Sequence, residues 1–275
     1  LRMSRGLGDV YKRQLYRFAN DASKKFLIFM TYEAELKLIL SALRRLSEGA
    51  VEESYYLPAA ALKLMPGLDA KRLREARSFQ DVLEGAAGSI YGPALRELEL
   101  DPKTGKPAFN EAALRLEGQY YRSLDRLLHT GYDGPAKREL MRTVSFRADM
   151  LNISYLLRLR RFGTPVQEAM RLLLPMHGAL GPEMERRILE ADTDEDALAE
   201  LRGSRLGKWL SGVEGASPEG LVRAAERAFY RKVMHGAPNL SVVDAFLQLK
   251  EGEARMLRRA FVALQYGLSP AGYMD

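Results

Sequence analysis

The sequence contains no cysteine, three histidines and one tryptophan among its 275 residues. The absence of cysteine excludes disulfides, thiolate metal sites and a cysteine nucleophile, and it fits a reducing compartment. His129, His177 and His235 lie far apart and lack the i, i+4 pairing with carboxylates that a helical zinc site needs. We therefore expect surface or capping roles for the histidines, with no bound metal and no cofactor.

Long apolar runs are also missing. Residues 26–30 and 172–176 form two of the longest, and both fall far short of the roughly 20 residues that a membrane-spanning helix requires. Arginines and glycines open the chain without an apolar block after them, so we expect no secretory signal. Residues 1–14 have no hydrophobic period. We expect this segment to be non-native and the natural N-terminus to be missing.

Sequence motifs of catalysis are absent as well. No glycine-rich loop is followed by Lys and Ser/Thr, and GxSxG does not occur, so we expect no ATP binding by this chain and no active site of its own. The densest acidic cluster precedes an apolar helical pattern, which indicates a helix N-terminus rather than a cation loop. Its members are Asp192, Asp194, Glu195 and Asp196.

The charge is basic but well mixed. A net charge of +6 and a pI near 9.4 would suit an anionic partner, yet 42 basic and 36 acidic residues are interspersed, which is typical of solvated helix faces. Trp209 and the pairs Tyr55, Tyr56 and Tyr120, Tyr121 could stack on bases, but aromatics at helical spacing usually belong to a core or an interface. No nucleic-acid motif accompanies them, so we expect no nucleic-acid partner.

Helical periodicity is what the sequence has in abundance. Apolar residues recur at i, i+3 and i+4, whereas sustained apolar/polar alternation is scarce, so we predict an all-α fold of about ten short helices. Gly and Pro clusters mark the breaks, among them 101–107, 131–135, 163–165, 175–182, 212–218 and 236–238. Two predicted helix faces are Leu36, Ile39, Leu40, Leu43 and Leu46, and Leu151, Tyr155, Leu156 and Leu159.

The same four-residue pattern occurs three times. An acidic residue is followed by an aliphatic residue at +4, a large apolar residue at +8 and a glycine at +14, and the copies begin 114 and 104 residues apart. We expect each acid in the first turn of a helix and each glycine in its left-handed C-terminal turn. The copies are Glu35, Ile39, Leu43, Gly49; Asp149, Ile153, Leu157, Gly163; and Glu253, Leu257, Phe261, Gly267.

Flanking segments align in the same order. The spacing of Ala76, Asp81 and Leu83 recurs at Ala191, Asp196 and Leu198, and that of Glu117, Tyr121 and Leu124 recurs at Glu226, Tyr230 and Val233. The unit is too long for a solenoid repeat. We predict three similar helical lobes, namely a partial first lobe at 15–100, a second at 101–205 and a partial third at 206–275.

Residues 146–163, FRADMLNISYLLRLRRFG, resemble the segment that marks the C subunit of V/A-type ATPases, the counterpart of the d subunit of the eukaryotic V-ATPase. In that family an acidic residue, Asn-Ile, Leu-Arg and a glycine follow in this order. The resemblance extends from Leu15 to Asp275, although Met256 stands where the family often has Asn. The matching positions are Asp149, Asn152, Ile153, Leu157, Arg158 and Gly163.

The resemblance implies a funnel of three lobes around a pseudo-threefold axis, with no cofactor and no chemistry. It implies a peripheral position at the cytoplasmic face of the membrane, where one side rests on the proteolipid ring and the cavity receives the D and F subunits of the central shaft. A wide ring and a narrow shaft need an adapter between them, and a close-packed helical bundle transmits strain. The resemblance leaves open H⁺ or Na⁺ transport, and synthesis or hydrolysis of ATP.

Arg158, Arg160 and Arg161 are the candidate interface residues. Dipole compensation at a helix end is one account of this cluster, and contact with the shaft or the rotor loops is the other, with charge reversal expected to leave the fold intact. Two functions of other classes stay open. One is a free-standing helical scaffold that binds a soluble partner, and the other is a metal-dependent all-α enzyme, for which the sequence offers no ligand set.

Overall fold

The computed structural model describes residues 21–48, 65, 67–210 and 218–269, and within them it is built from helices. The extended pairing in this part of the chain is one isolated bridge between Leu100 and Pro107. The helices are α1 (Asp21–Glu48), α2 (Ala70–Glu75), α3 (Phe79–Gly85), α4 (Gly92–Arg96), α5 (Phe109–Gly131), α6 (Gly134–Arg161), α7 (Val166–Arg171), α8 (Pro182–Glu190), α9 (Asp194–Gly203), α10 (Gly207–Leu210), α11 (Pro218–Met234) and α12 (Leu240–Gln265).

The all-α prediction is confirmed, and breaks occur where Gly and Pro cluster. Helix α5 ends at Gly131 and α6 begins at Gly134, and the turn between α11 and α12 holds Gly236 and Pro238. The helices are more varied in length than expected, since α1 and α6 have 28 residues each. No described helix is long and apolar enough to cross a membrane. Residues 1–14, Gly49, Tyr55 and Tyr56 lie outside the described part of the chain.

The chain forms two compact units that meet in sequence between Gly131 and Tyr132. In the N-terminal unit, α1 packs against α5, α2 and α3, and α4 packs against α3 and α5. The predicted stripe of α1 is confirmed as core, because Ile39 and Leu43 are at most 1% exposed. The buried Tyr91 donates a hydrogen bond from its hydroxyl to the Tyr32 carbonyl at 2.7 Å, which ties the turn before α4 to α1.

In the C-terminal unit, α6 is the central helix and contacts α8, α11 and α12. An aromatic cluster fills this core: Phe146 stacks on Phe229 with ring centroids 3.8 Å apart, and Trp209 meets both rings edge-on. Tyr120 and Tyr121 of the N-terminal unit are buried in the same way. The prediction that these aromatics belong to a core is therefore confirmed for the described ones.

Among the described residues, five helices of each unit, α1 to α5 and α6 with α8 to α11, follow in the same order and share five pairwise contacts. The pairs α1–α5, α1–α2, α2–α3, α3–α4 and α4–α5 have counterparts in α6–α11, α6–α8, α8–α9, α9–α10 and α10–α11. Matching turns lie 115 residues apart. Ser78 with Asp81 forms a capping box before α3, and Thr193 with Asp196 forms the same box before α9. This finding confirms that the acidic cluster belongs to a helix N-terminus.

The turns before α4 and α10 repeat the same hydrogen bonds. Ser89 Oγ donates to the Ala86 carbonyl and accepts from the Tyr91 N–H. Ser204 Oγ bonds the Leu201 carbonyl and the Leu206 N–H in the same way, 115 residues later. Gly92 and Gly207 then lie very close to the backbone of the preceding turn. A Cβ on Gly92 would be 2.7 Å from the Ala87 carbonyl oxygen, and a Cβ on Gly207 would overlap the Arg202 carbonyl oxygen.

The repeated acid lies elsewhere in its helix than expected. Asp149 is in the second half of α6, and Glu35 is in the middle of α1, so the first-turn prediction was wrong. The helical period extends well upstream of the acid in both copies. The glycine prediction is confirmed for two copies, because Gly163 and Gly267 have φ of 65° and 69° just after α6 and α12, a region that glycine enters without steric cost.

Candidate partner interface

The three arginines at the end of α6 occupy three different environments. Arg160 is internal: its side chain is 11% exposed, contacts the Asp194 carboxylate, and donates from Nη1 to the carbonyls of Ala191 and Asp192 at 3.3 and 3.4 Å. These carbonyls follow α8, whose C-terminal backbone acceptors need partners. Arg160 is therefore a structural tie between α6, the end of α8 and the start of α9.

Arg161 and Arg158 are both exposed, but Arg161 is paired with an acid. Arg161 donates from Nε to Asp194 Oδ2 at 3.0 Å, and its side chain is 42% exposed. Arg158 is exposed. Charge reversal at Arg158 should therefore leave the fold intact. Charge reversal at Arg160 should not, because it would place an acid beside two carbonyls and Asp194. The sequence pattern could not separate these neighbours, because the tie depends on residues about 30 positions away.

The tie has a counterpart in the N-terminal unit. Arg45, near the end of α1, donates from Nη2 to the carbonyls of Leu73 and Arg74 at 2.7 and 3.1 Å, and these belong to the last turn of α2. Partial burial lowers the pKa of Arg45. Arg45 and Arg160 are 115 residues apart, whereas Glu35 and Asp149 on the same two helices are 114 apart, so the tie recurs one residue out of register with the acids.

Asp149 holds the segment between α7 and α8 against α6. Its Oδ1 accepts from the Gly178 N–H at 2.8 Å, and its Oδ2 accepts from the N–H groups of Ala179 and Leu180 at 2.7 and 3.3 Å. A Cβ on Gly178 would be 2.7 Å from Asp149 Oδ2, so a side chain there would break this approach. Burial raises the pKa of Asp149 against the opposing effect of these donors.

Asn152, Ile153, Leu157 and Gly163, four more of the family positions, make structural contacts. Asn152 is fully buried, accepts from the Leu174 N–H at 2.8 Å and donates to the Leu174 carbonyl at 3.3 Å. Ile153 and Leu157 are core residues. Gly163 closes α6, with its N–H bonded to the Arg160 carbonyl and the Thr164 N–H bonded to the Leu159 carbonyl, which is a Schellman C-cap.

Glu35 is the counterpart of Asp149 in α1, and its environment differs. It is 2% exposed, and burial raises its pKa to about 7. This perturbation was missed from sequence because the repeat alone places an acid at the position without saying what surrounds it. Among the described residues, no group of three or more His, Asp or Glu side chains is arranged to hold a metal ion.

The histidines make local contacts. His129 Nδ1 lies 3.2 Å from Asp125 Oδ1 one turn earlier on α5, and His235 is exposed after α11. These two agree with the predicted surface roles. His177 differs, because its Nδ1 lies 3.2 Å from Oε1 of Glu185, a carboxylate that is 1% exposed. This contact raises the pKa of His177, and Asp149 adds to the effect.

Packed helices, internal arginine ties and an exposed arginine at a helix end define an all-helical protein of repeated construction. The chain belongs to the family of the ATP synthase (C/AC39) subunit, whose family model matches residues 3–272. It is 25% identical over 249 residues to the C subunit of the A-type ATP synthase of Pyrococcus abyssi, covering 88% of this chain and 65% of that protein.

A second relative is the C subunit of the V-type ATP synthase of Thermus thermophilus, at 31% identity over 206 residues, covering 71% of this chain and 58% of the relative. The corresponding A-type protein of Methanocaldococcus jannaschii is 24% identical over 242 residues, with 87% and 59% covered. The chain thus spans less than two thirds of the length of these curated relatives.

Proposed function

We propose that this protein is a non-catalytic adapter in the rotor of a V/A-type ATPase, at the cytoplasmic face of the membrane. In this role it couples the D and F subunits of the shaft to the proteolipid ring, so that ATP turnover and H⁺ or Na⁺ transport are linked. The observation that carries the proposal is membership of the ATP synthase C/AC39 family over residues 3–272.

The internal construction of each unit supports a role in transmitting force. Close-packed interiors transmit strain rather than absorbing it, and each unit adds a cross-tie from an arginine to the end of a neighbouring helix. Arg45 binds the end of α2, and Arg160 binds the residues after α8. The stacked Phe146 and Phe229 stiffen the C-terminal unit further. A body built in this way can pass torque without deforming.

We further propose that the chain holds the three predicted lobes at 15–100, 101–205 and 206–275, while its two compact units divide between Gly131 and Tyr132. The shared packing order and the turns 115 residues apart support a repeat. Helix α12 supports a third copy, because Leu268 N–H bonds the Ala263 carbonyl and Gly267 N–H bonds the Leu264 carbonyl, the same C-cap that closes α6. The matching apolar positions on α12 are exposed, with Leu257 at 44% and Phe261 at 51%.

The docking test centres on Arg158. Because it is exposed, reversing its charge should cost little stability, whereas reversal at Arg160 would disrupt an internal tie. Arg138 offers a matched control, since it is also exposed on α6 and lies 20 residues away, about 30 Å along the helix. Arg158→Glu and Arg138→Glu therefore carry the same charge change at opposite ends of one helix.

The experiment is reconstitution of the complete pump with each variant in lipid vesicles. We expect Arg158→Glu to leave ATP hydrolysis by the soluble head in place while ion transport falls several-fold. Attachment should become weaker but less sensitive to added salt than that of the unaltered protein, since salt at ~0.15 M screens exposed charges beyond about 8 Å and would relieve the new repulsion. Arg138→Glu should behave like the unaltered protein. Equal transport by both variants would remove Arg158 from the interface without affecting the family assignment.

The adapter role itself has a separate test. Complexes assembled without this protein should retain ATP hydrolysis by the head but show no ATP-driven ion transport, and the isolated protein should bind purified shaft or ring components. Full coupling in its absence would contradict the proposed function. Saturable micromolar binding of Mg-ATP in calorimetry would contradict the non-catalytic part.

A further inference from the structure

His177 lies next to the segment that Asp149 anchors and contacts a buried carboxylate. The segment 172–181 crosses α6 between α7 and α8, and its backbone at Gly178–Leu180 is bound by the Asp149 carboxylate. His177 directly precedes these three residues, and its Nδ1 lies 3.2 Å from Glu185 Oε1 on α8. Its side chain is 40% exposed, whereas Glu185 and Asp149 are 1% exposed each. A solvent-accessible imidazole therefore faces two carboxylates that water does not reach.

The charges around this imidazole are of one sign. Glu185 on α8 contributes most, Asp149 on α6 contributes a weaker attraction, and the backbone of Leu180 within the segment also favours the protonated ring. Partial burial of the ring opposes them. Uncompensated buried carboxylates are costly, so a positive imidazolium balances both helices' acids at once. The interactions of these two acids also hold the segment 172–181 between α6 and α8.

We propose that the segment 172–181 is a proton-operated clasp: protonated His177 binds Glu185 of α8 and so helps to keep the segment closed on Asp149 of α6, and loss of that proton loosens it. The device regulates the position of the segment between α7 and α8. It is independent of the proposed rotor function, because every contact in it lies within the C-terminal unit.

Loosening would uncover apolar surface. Leu174, Met176 and Leu180 are at most 3% exposed in the closed segment, and Asn152 pairs with both backbone groups of Leu174. An open segment would present these side chains to a partner or to solvent. Loss of one proton from the exposed His177 ring would therefore give access to a buried apolar patch.

The sign of the pH effect follows from the raised pKa of His177. A group whose pKa is higher in the closed state contributes fully below its open-state pKa, which is about 6.5 for histidine. The contribution is lost as pH rises through the closed-state value. The clasp should therefore be tight in mildly acidic solution and weaken with rising pH, the opposite of a simple carboxylate clasp that loosens in acid.

The test combines NMR titration of the His177 ring with amide hydrogen exchange at Gly178, Ala179 and Leu180, using the intact chain from pH 5.5 to 8.5. Protection factors, corrected for the intrinsic pH dependence of exchange, should begin to fall near the open-state pKa of about 6.5 and reach their lower plateau above the measured pKa of His177. The total fall should equal ten raised to the difference between that pKa and the open-state pKa.

Three variants make the result decisive. His177→Gln, which is neutral at every pH, should show the weaker protection throughout, and His177→Lys should keep strong protection at pH 8.5. Glu35→Gln controls for the other group that titrates near pH 7 and should leave the pH range of the fall unchanged. Protection that is independent of pH in the unaltered protein, or a fall that persists in His177→Gln, would overturn the proposal.

Discussion

Glu35 and Asp149 occupy the same position of the repeat in the two units, yet their carboxyl groups are accommodated in different ways. Asp149 accepts three backbone N–H groups from the segment after α7, so its charge has a fixed set of donors. Glu35 is buried to the same extent, and desolvation raises its pKa to about 7. The described surroundings of the two acids therefore differ. A shared sequence pattern can thus support a structural anchor in one unit and a proton-binding group in the other.

The shared features contrast with this divergence. The capping boxes, the serine turns and the arginine ties have counterparts 115 residues apart in both units. These contacts are local or join neighbouring short helices, and any change in them would disturb the packing order common to both units.

The largest effect should come from the close glycines. Gly207→Ala would drive a Cβ into the Arg202 carbonyl, and Gly92→Ala would place one 2.7 Å from the Ala87 carbonyl oxygen. Backbone groups cannot rotate away, so we expect losses of about 3 kcal/mol for Gly207→Ala and about 1–2 kcal/mol for Gly92→Ala. Urea unfolding measures both, with Gly203→Ala, where no atom lies near the added Cβ, as the control. If both variants lost no more stability than Gly203→Ala, neither turn would depend on its glycine.

The buried acids should respond to neutralisation with opposite signs. Asp149→Asn keeps one acceptor oxygen but places an NH₂ donor where the other oxygen accepts from backbone N–H groups. We therefore expect a loss of about 2 kcal/mol at pH 8. Glu35→Gln removes a charge that burial disfavours. The raised pKa of Glu35 means that stability falls as pH rises from about 4.5 to about 7, and this variant should gain about 2–3 kcal/mol at pH 8.

Unfolding of both variants at pH 5 and pH 8 checks this contrast. The gain from Glu35→Gln should shrink towards zero at pH 5, where the native carboxyl is already mostly protonated, while the Asp149→Asn variant should stay less stable than the unaltered protein at pH 8. Two variants with the same sign and the same pH dependence would show that the acids are equivalent after all.

The smallest effects concern the arginine ties. Arg45→Ala and Arg160→Ala each leave two helix-end carbonyls without their donor, so each should cost about 1–2 kcal/mol. Arg158→Ala, at an exposed neighbouring position, should stay within about 0.5 kcal/mol. Thermal unfolding of the three variants would rank them. An Arg160→Ala protein as stable as Arg158→Ala would reduce the tie to a surface contact.

Much of the fold could be predicted because its signals are local. Helical period and the Gly and Pro breaks predicted an all-α chain, and the acidic run at Asp194–Asp196 was correctly assigned to a helix N-terminus because capping depends on residues three apart. The first-turn position of Asp149 was wrong, since the apolar period continues far upstream of it along α6. The separate environments of Arg158, Arg160 and Arg161 were beyond sequence reasoning, because they depend on Ala191, Asp192 and Asp194.

The sequence by itself determined the secondary structure, the repeat and the family, since periodicity, turn residues and motif order are properties of the chain. Only the tertiary structure decided which charged groups are buried and what they contact. Asp149 became an anchor because Gly178–Leu180 turn their N–H groups towards it, and His177 gained two acidic neighbours from different helices. The free energy of a charged group depends on its burial and on the geometry of its partners. Both depend on residues about 30 positions apart in the sequence that the fold brings together.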